Sequence, residues 1–98
     1  MMSASMQNGF PLDNFEIEDA DTAAVEIAAE HLRHGRSAAA KSILQEILKR
    51  IPNHSGALNC LAAEALMRGD TKKSEEILGI ALRSNPKDVV AIVNLGQL

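Results

Sequence analysis

The apolar residues of this chain recur at helical intervals between regularly placed breaks. From about Thr22 to His34 they stand at Ala24, Val25, Ile27, Ala28 and Leu32. These three- and four-residue steps gather on one helix face rather than alternating as in a strand. Gly35 predicts the stop, because glycine takes the left-handed conformation that ends a helix. Ser37 is placed to cap the next helix, which carries Ala40, Ile43, Leu44, Ile47 and Leu48 on one face. Pro52 lacks an N–H and is tolerable only at a boundary or first turn. The series then repeats: a helix from about Ser55 to Arg68, a Gly69-Asp70 turn, a Thr71 cap, a helix to Ser84, and Asn85-Pro86. A fifth helix is expected from about Asp88 to Leu98.

The repetition is metric. Gly35 and Gly69 are 34 residues apart, and so are Pro52 and Pro86. The same shift superposes Ala28 on Ala62, Glu30 on Glu64, Leu32 on Leu66, Ile43 on Ile77 and Leu48 on Leu82. Ala23, Ala57 and Ala91 share a register, as do Ile27, Leu61 and Leu95. A repeat of this period points to stacked supersecondary units. The units are 21–54, 55–88 and a partial one at 89–98. They follow an acidic lead-in, residues 1–20, read as flexible.

Composition agrees with helices. The apolar residues make up 46% of the chain, largely Ala, Leu, Ile and Val, with two Phe and no Trp or Tyr. Ala and Leu are strong helix formers, whereas a β-sandwich draws on aromatic and β-branched strands. The net charge of −3 hides an asymmetry. Seven acids and no Lys or Arg precede Arg33; ten bases and six acids follow from there. That bias falls short of the concentrated basic face that nucleic acid requires. No run approaches the roughly 18 apolar residues of a membrane span. A single cysteine, Cys60, cannot form an internal disulfide, and the start of the chain has no secretory pattern. A reducing, cytoplasmic setting is the expectation.

The 34-residue unit, its paired helices and the prolines at Pro52 and Pro86 resemble the tetratricopeptide repeat (TPR) family. The small residues which that family places where paired helices touch fall here on Ala28, Ala62, Gly96, Ala40, Ser74 and Ala81, with Ile47 an exception. The resemblance covers about 78 residues. It implies an all-α fold of about five helices, a right-handed α-solenoid of antiparallel pairs. The family's aromatics are replaced by Ala24, Leu58, Ile92, His31, Ala65, Leu44 and Leu78, which leaves related helical-pair repeats as the alternative.

The resemblance further implies that the first helix of each unit lines a concave groove for a peptide or helix. Carried over, the lining is Thr22, Val25, Ala29, Leu32 and Arg33 in unit one. In unit two it is Gly56, Asn59, Ala63, Leu66 and Met67, and in unit three Val90, Val93 and Gln97. Packing between helices is the competing use for Val25, Leu32, Leu66, Met67 and Val93. The family's clamp for a peptide carboxylate is missing, since Val25, Ala29, Val90 and Asn94 stand where its polar residues belong. Asn94 itself resembles a rung of the asparagine ladder in repeats that precede sugar transferases, but Glu26 and Cys60 take that place in the other units.

Chemistry is thinly supplied. His31 and His34 share a helix, yet no third ligand accompanies them, so no metal or other cofactor is expected. No phosphate loop, nucleophile elbow or paired carboxylate is found, and the chain is not read as an enzyme. Phe10, Leu12, Phe15 and Ile17 form a candidate anchor that lies back in the groove or enters a neighbouring molecule's groove, the alternative being a disordered lead-in. The expected function is protein binding by a partner-lined groove of Val25, Ala29, Leu32, Arg33, Asn59, Ala63, Leu66, Met67, Val93, Asn94 and Gln97. The setting expected for it is the N-terminal part of a larger bacterial protein, with a transferase as the attached activity. The rival reading is a scaffold that homodimerises through its last helix or N-terminal segment.

Overall fold

The computed structural model describes residues 20–98, and the candidate anchor at Phe10 to Ile17 lies outside them. The described chain is all-α. Five helices follow in order: α1 (Ala20–Arg33), α2 (Ser37–Arg50), α3 (Ser55–Met67), α4 (Thr71–Ser84) and α5 (Val89–Gly96). Ala20 therefore opens α1 instead of closing the lead-in. None of these helices is long and apolar enough to cross a membrane.

Both glycine turns are built alike. Gly35 has φ of 76° and Gly69 of 83°, the left-handed region open to glycine. At the first turn the Arg36 N–H reaches the His31 carbonyl at 2.8 Å, and the Gly35 N–H reaches Leu32 at 3.0 Å. At the second, Asp70 bonds Ala65 at 2.9 Å and Gly69 bonds Leu66 at 3.0 Å. This pair of bonds satisfies carbonyls left over at the helix end and turns the chain back within three residues.

The helix starts are less uniform. Asp70, not Thr71, caps α4, its Oδ1 accepting the Lys73 N–H at 3.1 Å. Arg36 precedes α2 without a side-chain cap bond, so Ser37 is the first helical residue and not the expected cap. His54 caps α3 through Nδ1, which accepts the Ala57 N–H at 3.1 Å. Asp88 caps α5 through Oδ1, which accepts the Ala91 N–H at 3.1 Å. His54 and Asp88 are themselves 34 residues apart, so the repeat extends to the caps.

Consecutive helices pack on one another, and α3 also touches both α1 and α5. The core forms two clusters. Ala28, Leu32, Ala40, Leu44, Ile47 and Ala57 make the first, across α1, α2 and α3. Leu58, Ala62, Ile77, Leu78, Ala81 and Ala91 make the second, across α3, α4 and α5. Leu48 and Leu61 pack against both. Small residues at Ala28, Ala40, Ala62 and Ser74 let the paired helices approach closely, and Ser74 Oγ donates to the Ala62 carbonyl at 2.9 Å. Asp21 at the start of α1 holds Arg50 at the end of α2, Oδ1 to Nη2, at 2.9 Å.

Candidate functional site

A concavity among the described residues lies between α3, α4 and α5. It is an open hollow of about 160 Å³ lined by Ala62, Ala63, Leu66, Met67, Ser74, Asn94 and Gln97. Helical spacing explains the convergence. Ala63, Leu66 and Met67 stand at three- and four-residue steps on α3, and Asn94 of α5 stands one turn before Gln97, the residue that follows the helix. Met67 is 61% exposed and Leu66 is 37% exposed, so apolar surface faces outward here. The side chains of Asn94 and Gln97 make no hydrogen bond with the described residues. An apolar floor with two amides at its edge suits a chain segment that offers both an aliphatic side chain and peptide N–H or C=O groups.

Five of the residues expected to hold a partner thus meet in one place: Ala63, Leu66, Met67, Asn94 and Gln97. The other six are placed differently. Leu32 is buried in the first cluster and Val25 is partly buried against it. Ala29 is half-buried on α1. Arg33 is exposed and ion-paired to Glu30 on its own helix. Val93 is exposed on α5 but does not line the hollow.

Asn59 departs furthest from expectation. It is 8% exposed and committed to the interior. Its Nδ2 donates to Asp88 Oδ2 at 3.0 Å and to the Ser55 carbonyl at 3.0 Å. Its Oδ1 has no partner among the described residues. Ser55 Oγ also donates to Asp88 Oδ2. Asp88, 7% exposed, therefore caps α5 with one oxygen and gathers two donors of α3 with the other. Burial raises the cost of its charge, but bonds from Ser55, the Ala91 N–H, Asn59 and the Val90 N–H outweigh that and hold the carboxyl below its ordinary value. Neither the capping role of Asp88 nor its pairing with Asn59 entered the sequence reading. The signal was present as an Asp directly before an apolar run, in the register of His54.

Glu64 is also interior, at 1% exposure, one turn before Arg68. The Arg68 Nε lies 2.9 Å and 3.1 Å from its two oxygens, and Arg68 Nη1 reaches Asp70 at 3.2 Å. Glu30, the equivalent residue of α1, is exposed and pairs with Arg33 and with His34, whose Nε2 is 2.8 Å away. Bonds from Arg33 and His34 hold the Glu30 carboxyl below its ordinary value. His31 is engaged elsewhere, its Nδ1 accepting from Arg36 Nε at 2.9 Å. No group of three or more His, Cys, Asp or Glu among the described residues is arranged to hold a metal ion. Burial pushes the half-buried Cys60 thiol up, against a smaller opposing effect of Arg33. A raised thiol pKa reduces the thiolate that nucleophilic chemistry would need. Comparison of the chain with protein-family models, curated proteins and solved structures gives no match.

Proposed function

We propose that this chain is a protein-interaction module of the tetratricopeptide type, taking a peptide or helix of a partner in the hollow between α3, α4 and α5. One observation carries the reading. Side chains of two sequential units, Leu66 and Met67 of α3 with Asn94 of α5 and the following Gln97, converge on an open apolar depression whose amides have no bond among the described residues. Met67 adds a flexible, polarisable wall that adapts to different side chains. The exact 34-residue register of Gly35 with Gly69 and of His54 with Asp88 supports the repeat assignment. A cytoplasmic setting and a role as the handle of a larger protein belong to the same proposal.

Peptide display against the chain, followed by binding measurements on Leu66→Glu and Gln97→Ala, tests it. Both residues are exposed, so the fold should survive both changes. Selected peptides should lose affinity about tenfold or more with Leu66→Glu, the effect of withdrawing one aliphatic contact and adding a buried charge. Peptides that bind both variants as well as the parent would place recognition elsewhere.

Self-association is the second reading. It is favoured by Val89, Val90, Ile92 and Val93, each about half exposed or more on the uncharged helix α5. Light scattering over a wide concentration range separates the readings: a constant monomer mass removes the scaffold, and a stable dimer that hides the hollow removes the open site.

A further inference from the structure

The repeat allows each position of α5 to be compared with its equivalent on α3. Ala57 and Ala91 are both fully buried. The next residues diverge: Leu58 is 4% exposed, whereas its equivalent Ile92 is 49% exposed. Ala62 is 1% exposed, whereas its equivalent Gly96 is exposed, and a Cβ there would meet nothing within 4 Å. Leu58 and Ala62 are covered by Ile77, Leu78 and Ala81 of α4, with Ser74 bonded to the Ala62 carbonyl. One unit earlier, Ala28 is covered by Ala40, Leu44 and Ile47 of α2. The same interface is thus built twice in the fold, and α5 presents its first half a third time.

We infer that the Ile92–Gly96 face of α5 is a docking site for an amphipathic helix with the contact pattern of α2 and α4. Its occupant carries a small residue, Ala or Ser, against Gly96. Aliphatic residues follow three, four and seven positions later, as Ile43, Leu44 and Ile47 follow Ala40, and as Ile77, Leu78 and Ala81 follow Ser74. The continuity with the two existing helix pairs sets both chemistry and register. At the equivalent place on α3, Ser74 comes close enough to bond the Ala62 carbonyl, and a helix that approaches Gly96 as closely needs a small residue there. α5 carries no charged side chain, so the occupant's contact stripe is apolar and its polar face remains in water. This face is distinct from the hollow, which is lined by Asn94 and Gln97.

The probe is a labelled peptide with the α4 sequence Thr71–Ser84, added in trans to the full chain. Alone, a helix of this length is marginal in water. Saturable binding with a gain of helical signal is expected. It should weaken about tenfold or more with Ile92→Lys in the chain, or with Leu78→Asp in the peptide. Gly96→Leu should block binding while leaving the circular dichroism of the chain unchanged, because the space above Gly96 is open. Leu66→Glu, in the hollow, should leave binding of this peptide unaltered, so the present inference and the proposed function fail independently. No binding, or binding indifferent to both Ile92→Lys and Gly96→Leu, overturns the inference. Concentration-dependent dimerisation of the chain that Ile92→Lys abolishes also overturns it, because a second copy is then the occupant.

Discussion

Asp88 offers the most quantitative test of how the end of the fold is held. In Asp88→Ala, α5 loses its N-cap, which costs about 1 kcal/mol. Asn59 Nδ2 loses a charged acceptor inside the protein, which adds about 1–3 kcal/mol. Ser55 is exposed and can turn its hydroxyl to water, so it adds little. The sum is about 2–4 kcal/mol. Only Ala91 of α5 is fully buried, with Leu95 beside it in the second cluster, so apolar packing cannot replace what the cap supplied. The loss should appear as local opening of Val89–Gly96 and not as global unfolding. Converted at tenfold per 1.4 kcal/mol, hydrogen exchange of the α5 amides should accelerate by roughly 30- to 700-fold, while α1 and α2 change little. Exchange in α5 altered less than about threefold would refute the reasoning, since it would leave the cap and the Asn59 bond without energetic weight. Equal acceleration in all helices would refute the local character. Combining Asp88→Ala with Asn59→Ala completes a double-mutant cycle, and the pair should be non-additive because each removal already breaks the shared bond.

Four further outcomes are expected. The Asp88 carboxyl is held below its ordinary value, so its contribution is fully present above the unfolded value and is lost as pH falls through the lower folded one; acid titration below about pH 4 should bring the parent's α5 exchange toward that of Asp88→Asn. Gly35→Ala and Gly69→Ala should each cost about 1–2 kcal/mol in urea denaturation, purely from the left-handed backbone, since a Cβ meets nothing within 4 Å at either site. Leu44→Ala, at 0% exposure in the first cluster, should cost about 3–5 kcal/mol and lower the melting temperature more than any surface change. Arg68→Met should destabilise more than Arg50→Met, because it leaves the buried Glu64 without its partner, and Glu64→Gln in the same chain should recover part of the loss.

Helix number, order and breaks were legible because they rest on local chemistry. The apolar period, the two left-handed glycines and the prolines each act within a few residues of themselves. The paired small residues were legible for a related reason: a 34-residue shift exposes them without knowledge of any contact. Of the residues expected at a groove, Ala63, Leu66, Met67, Asn94 and Gln97 line one hollow, whereas Val25, Leu32 and Asn59 pack inward. Asn59 illustrates why. Its partner, Asp88, lies 29 residues away, and an asparagine on a groove face and one bonded to a neighbouring helix start look alike in a sequence. Glu64 shows the same limit, since it is buried while Glu30 at the equivalent position is exposed.

Leu48 and Leu61 stand between the two clusters and touch both. They are the hinge pins of the domain's cooperativity. Two small cores melt as one only while the free energy of their junction exceeds the cost of a boundary between a folded and an unfolded half. With these two leucines bridging the clusters beside the shared helix α3, trimming one of them should do more than lower the midpoint: it should broaden the calorimetric transition, as the α1–α2 half and the α4–α5 half begin to melt on separate schedules.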